Sequence, residues 1–276
     1  MSNFIEKTVL SIQNTFEDMF LSDTIADKKG VMQTLDPRIK LITTIAFIII
    51  VNFGKSISFM AVMLVYSLLL AILSRIPLKM YLFRVSTISI IFSGIVLIPS
   101  LFNIVKPGEP LLFLTRNIYI TRDGIYSAII FIMRSFISLS FVYILILSTK
   151  WVEILKALRV FRFPKIFTAT LDIALRYITL LLEISSNMFL ARKSRNIGKS
   201  NSSNGRKFVA SSVGNLLIRS ESLSNDVYNA MTSRGYIGEY ITINKFKIGP
   251  FDYLWIIFNI AFVILASLLK GGIHWI

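Results

Sequence analysis

The sequence predicts an all-α, polytopic membrane protein with about five transmembrane helices and a cytoplasmic pair of long amphipathic helices. Three observations carry this. The 276-residue chain has a mean hydropathy of +0.69, and only 16% of its residues are charged. Several of its uncharged runs approach the ~20 residues that cross a bilayer core as a helix. Those runs do not alternate apolar and polar side chains, which excludes the short dyad-patterned strands of a membrane barrel.

The first segment, residues 1–34, opens on Met1-Ser-Asn-Phe-Ile-Glu-Lys, without the apolar stretch expected of a signal peptide. Ile5, Val9, Ile12, Phe16 and Met19/Phe20 recur at helical spacing, with Glu6, Lys7, Glu17 and Asp18 elsewhere. That pattern predicts an amphipathic helix lying on the membrane or on protein.

Residues 35–149 hold four predicted spans, at about 39–53, 57–74, 85–105 and 125–148, and residues 250–276 hold a fifth at 251–269. Asp36 is placed to cap the first helix and Pro37 suits its first turn. Loop charges orient the set. With the amino terminus cytoplasmic, 24 Lys and Arg lie inside and five outside, with Arg134 left within a span. The basic-inside bias therefore favours a cytoplasmic amino terminus and an external carboxyl terminus.

Residues 150–249 form a cytoplasmic region. A short amphipathic helix from Trp151 to Val160 ends near Phe163-Pro164. Phe167, Leu171, Ala174/Leu175, Ile178, Leu182, Ser185 and Phe189 then mark one face of a helix over 165–195, about 45 Å long at ~1.5 Å per residue. A polar run, 198–205, reads as a flexible linker. The second long helix, 206–234, carries Val209, Val213, Leu216/Leu217, Ser220, Leu223, Val227 and Ala230/Met231 on one face, and Gly235 suits a left-handed stop. Both long helices end in an Arg-centred tripeptide: Ser194-Arg195-Asn196 and Ser233-Arg234-Gly235. A guanidinium at a helix tip makes paired bonds to carboxylates and stays charged when a partner covers it.

Composition narrows the chemistry. The chain has no cysteine, and His274 is its single histidine, so thiolate catalysis and Cys- or His-based metal centres are excluded. No catalytic and no metal-binding residue is assigned. Gly198-Lys199-Ser200 ends like a phosphate-binding P-loop, but Lys193 stands where the loop needs its first glycine. The net charge of +15 is interleaved with helical apolar stripes between spans, which points to anionic lipid or an acidic protein and not to nucleic acid.

"LDPRIKL" (35–41), the two helix-ending tripeptides and "LIRSESLSNDVYNAMTSRGYIGEY" (217–240) resemble the transmembrane T component of energy-coupling-factor (ECF) transporters, the EcfT/CbiQ family. "AMTSRGYIG" is most similar to the cobalt, CbiQ-type branch. The resemblance implies a non-catalytic subunit of a prokaryotic ABC-type importer in the cell membrane. Two cytoplasmic ATPases would bind ATP, a membrane-embedded S component would bind the substrate, and this chain would bind no cofactor. It also implies that Ser194, Arg195, Asn196, Ser233, Arg234 and Gly235 are the ATPase-coupling residues. Ser194 and Asn196 depart from the family's usual Ala-Arg-Gly. Cobalt is the implied substrate, with nickel, biotin or another vitamin as alternatives. An independent secondary transporter would show inverted-repeat halves, and spans one to three have no obvious repeat later in the chain. An intramembrane enzyme would want a nucleophile–base or carboxylate pair that the spans do not offer.

Two further features await a structure. Arg134, inside span four, must either reach the outer interface or pair with a carboxylate or a carbonyl. Ser89 and Ser93 form a small-xxx-small pair that permits close helix packing.

Overall fold

The computed structural model describes residues 22–54, 56–101, 110–115, 118–195, 202–236 and 248–268, together with Ser11 and Asn14. The apolar face predicted over residues 5–20 lies outside these described residues. The helices are α1 (Pro37–Phe53), α2 (Ile57–Leu73), α3 (Leu78–Leu101), α4 (Arg122–Ser148), α5 (Trp151–Val160), α6 (Lys165–Arg195), α7 (Ser202–Ser233) and α8 (Pro250–Leu268). The chain divides into two compact units, one of residues 1–23 and 155–245, the other of 24–154 and 246–276.

The second unit is a helical membrane bundle built around α4, on which α1, α2 and α3 all pack, while α8 packs on α1 and α2. Phe47 of α1 stacks on Phe141 of α4 with ring centroids 4.8 Å apart, and Tyr66 of α2 stacks on Phe262 of α8 at 4.1 Å. The Tyr66 hydroxyl donates to Asn259 Oδ1, and Asn259 Nδ2 donates to the Trp255 carbonyl, so this buried polar pair is satisfied. Ser89 and Ser93 are fully buried, as their spacing on the closely packed α3 predicts. The outward faces are equally apolar: Ile45, Ile49, Val65, Leu69, Ile90, Ile257 and Leu265 are exposed, and Phe83 is 72% exposed. Helices apolar on both faces need an apolar solvent. By length and composition the 25 residues Gly124–Ser148 suffice to cross a membrane, and Ile57–Leu73 and Pro250–Ala266 are shorter apolar helices.

Helix ends follow local chemistry. Asp36 caps α1 by accepting from Arg38 N, with Pro37 in the first turn, as the sequence predicts. Arg75 leaves α2 at φ 52°, with Arg75 N bonding Ile72 O and Ile76 N bonding Ala71 O. This left-handed stop usually takes glycine. The carbonyls at the end of α2 find further partners in the segment before α1: Val31 N donates to Leu73 O, and Gln33 Nε2 donates to Ser74 O at 2.9 Å. Gly30 permits that approach, because a Cβ there would lie 2.9 Å from Ser74 Cα.

Two expectations are revised and one alternative is decided. The third helix begins at Leu78, seven residues before the predicted span, because Pro77 precedes it directly and a helix can run past the uncharged stretch that defines a span, here through Lys79 and Arg84. Between α3 and α4 lies a two-stranded antiparallel ribbon, Pro110–Thr115 (β1) with Ile118–Thr121 (β2), pairing Leu112 with Ile120 and Phe113 with Tyr119. Its aromatic and β-branched content explains it in a segment the sequence presents only as a loop. Arg134 reaches a carbonyl: its Nη2 donates to Gly54 O at 2.8 Å, beyond the end of α1.

Candidate functional site

The first unit carries the two arginine-ended helices. A turn precedes them in which Arg162 adopts φ 61° and closes α5, as Arg75 closes α2. Arg159 Nε then donates to Thr168 Oγ1 at 2.8 Å, tying α5 to the first turn of α6. Helices α6 and α7, of 31 and 32 residues, meet at a small aromatic cluster. Phe189 of α6 is buried edge-to-face against Phe208 of α7, with centroids 5.3 Å apart, and half-buried Val209 completes the contact. The Arg192 guanidinium lies 4.0 Å from the Phe208 ring centroid, and its Nη2 donates to Asn204 O. Arg192 therefore clamps the start of α7 one turn before the tip of α6.

The tips themselves are solvated. Ser194 and Arg195 are exposed at the last turn of α6, and Ser194 Oγ bonds back to Ala191 O. Asn196 lies outside the described residues, as do Gly198, Lys199 and Ser200. At the other tip, Ser233, Arg234 and Gly235 are all exposed. Tyr236 N bonds Met231 O and Gly235 N bonds Thr232 O, with Gly235 at φ 78°. This is the left-handed stop that the sequence predicts, and it places Arg234 as the residue that closes the helix.

The linker expectation is corrected in part. Helix α7 begins at Ser202, so Gly205 is a buried helical residue and not linker. Ser and Asn serve helix starts as well as loops, and Arg192 holds the Asn204 carbonyl in this first turn. Much of the apolar face on both long helices is uncovered. Phe167 and Ile178 on the α6 face are exposed, as are Val213 and, at 65%, Leu217 on the α7 face.

A second polar assembly lies in the bundle unit, around the "LDPRIK" stretch. Lys40 is only 2% exposed, and its Nζ donates to Ser148 O and to Thr149 Oγ1, both at 3.2 Å. The backbone N–H of buried Asp36 donates to Asp252 Oδ1 at 2.9 Å, and Asp252 Oδ2 accepts from Gly249 N. Asp36, Asp252 and Glu153 all lie close enough to attract the Lys40 ammonium. Sequence reasoning counted Lys40 as a loop charge and gave Asp252 no part. The available signal was an acid set in the first turn of an otherwise apolar helix, "PFDYLW".

These features define a helical membrane protein in which an apolar bundle is continuous in sequence with two long, arginine-ended amphipathic helices. The chain belongs to the cobalt transport protein family CbiQ, which matches residues 28–243. It is 31% identical over 274 residues to an uncharacterized protein of Methanocaldococcus jannaschii, covering 99% of this chain and 94% of that one. It is also 28% identical over 220 residues to the energy-coupling factor transporter transmembrane protein EcfT of Streptococcus equi subsp. equi (76% of this chain, 80% of that protein). A second EcfT, from Leuconostoc gelidum subsp. gasicomitatum, is 28% identical over 255 residues (87% and 93%). The chain is accordingly a membrane component of a transporter of the EcfT/CbiQ kind.

Proposed function

We propose that this chain is the T component of an ECF importer, coupling two cytoplasmic ATPases to a membrane-embedded S component, with cobalt ion as the transported substrate. The observation that carries the reading is the pair of exposed arginines, Arg195 and Arg234, each closing one of two long helices that are clamped together. Two guanidiniums at separate tips match two equivalent acidic grooves, one per ATPase, through paired charge-assisted bonds. The uncovered apolar faces of α6 and α7 would then meet the S component. Movement of the ATPases on binding ATP displaces the tips, and the long helices carry that displacement to the membrane partner. On this reading residues 150–249 form the cytoplasmic coupling region, and 35–149 with 250–276 provide five spans. The amino terminus is inside, and catalysis belongs to the ATPases. The CbiQ match supports cobalt over nickel or a vitamin.

The test uses the chain reconstituted in proteoliposomes with the ATPases and S component of its source. Arg195→Ala with Arg234→Ala should leave the chain inserted while ATP-driven uptake of labelled Co²⁺ falls to background. Full uptake by the double variant, with the ATPases still bound, would refute the coupling role. Uptake by this chain alone would favour a secondary transporter.

A further inference from the structure

The Lys40 assembly sits where the chain enters and leaves the bundle. The backbone passes between the two units at 23–24, 154–155 and 245–246. Within a few residues of each passage, on the bundle side, one side chain is tethered to the same small region. Asp27 Oδ1 pairs with Lys150 Nζ at 2.6 Å. Ser148 and Thr149, which lead into α5, are held by Lys40. Asp252, which follows the return of the chain, holds Gly249 N and Asp36 N. The charges also match the helix ends. An ammonium meets the last carbonyl of α4, where helix dipoles favour positive charge, and carboxylates lie at the starts of α1 and α8, where they favour negative charge.

Burying these ions has a desolvation cost that well-packed apolar side chains would avoid, so stability alone does not explain the arrangement. What it does provide is fixed direction: Lys40 bonds a backbone carbonyl and a hydroxyl on the very segment that hands the chain to α5. We propose that Lys40 is a positioning residue for transport. It pins residues 148–150, so that displacement of the arginine-ended helices passes to the spans instead of being absorbed in the connecting segment. This rests on the reading of the chain as a coupling subunit.

The experiment uses the full chain with its ATPases and S component in proteoliposomes. It reads labelled Co²⁺ taken up per ATP hydrolysed, together with amide exchange over residues 146–156. Lys40→Met should leave ATP hydrolysis within about twofold, yet lower Co²⁺ per ATP at least about fivefold, because the motor turns over without moving its load. Exchange over 148–154 should rise about tenfold, with the cores of α1 and α2 unchanged. Unchanged Co²⁺ per ATP, or unchanged exchange, would overturn the proposal. If Lys40→Met does not insert, Thr149→Val decides. Removing that hydroxyl should lower Co²⁺ per ATP about threefold while Thr149→Ser stays at the native level, since serine keeps the bond. An equal loss in both variants, or in neither, overturns it. Should the Arg195/Arg234 double variant transport normally, the coupling reading fails instead. Should the native chain take up no Co²⁺, the cobalt assignment fails, and the exchange arm alone decides for or against the pin.

Discussion

Phe208→Ala tests whether the α6–α7 contact is a local clamp. The ring makes three contributions. It is half-buried, so truncation forfeits about 1 kcal/mol of apolar burial, well under the 3–5 kcal/mol of a fully buried phenylalanine. The edge-to-face pair with Phe189 adds about 1 kcal/mol, and the Arg192 guanidinium over the ring about 0.5 kcal/mol. Loss of roughly 2.5 kcal/mol from the closed clamp raises local opening about 70-fold, which amide hydrogen exchange of residues 186–194 and 204–211 reads directly. Phe208→Leu keeps most of the area and loses the two ring terms, so it should raise the same amides only about 10-fold. Exchange that changes less than about fivefold in Phe208→Ala would refute the clamp. An increase spread evenly from Lys165 to Ser233 would also refute it, because that pattern means general loosening of both helices and not release of one contact.

Two stability predictions follow from backbone geometry. Gly30→Ala drives a Cβ against the Ser74 backbone and displaces Gln33, which bonds both Ile25 O and Ser74 O; thermal unfolding in detergent should show a loss of about 1–3 kcal/mol. Arg162, at φ 61°, separates two substitutions: Arg162→Gly should stay within about 0.5 kcal/mol of the native protein, while Arg162→Val should cost about 1–2 kcal/mol more in the same assay.

The first and last helices of the bundle were legible because a long apolar run there carries its own punctuation. Asp36-Pro37 opens α1 and Pro250 opens α8 at the positions the sequence indicates. The end of α7 was equally legible, since Ser233-Arg234-Gly235 contains the one residue type that enters the left-handed region without strain. The equivalent stops at Arg75 and Arg162 were not legible, because nothing in an arginine announces φ > 0. The start of α7 was hidden for a related reason. Ser-Ser-Asn-Gly reads as a turn until a guanidinium from another helix, Arg192, holds it as a first helical turn. The ribbon of Pro110–Thr115 with Ile118–Thr121 arises from pairing between two short segments, a property of neither segment by itself.

Charge was the quantity most misread, and the reason bears on mechanism. Counting loops treats every Lys and Arg as solvated, which is all an orientation rule asks of a charge, because only the side of the membrane enters it. It does not distinguish what each cation does once placed. Lys40 and Arg134 are turned into the bundle, where carbonyls at or beyond the ends of α4 and α1 accept hydrogen bonds from them. Arg192 lies flat on an aromatic ring. Arg195 and Arg234 stand exposed at helix ends. The first three have their electrostatic partners within the chain, so neutralising them should alter its internal geometry. For the two exposed tips, on the coupling reading proposed above, the bonds that would repay desolvation come from another molecule. An arginine whose side chain is open to solvent at the end of a 30-residue helix is therefore a better candidate for grip than any of the three cations bonded within the chain, although all of them enter the net charge alike.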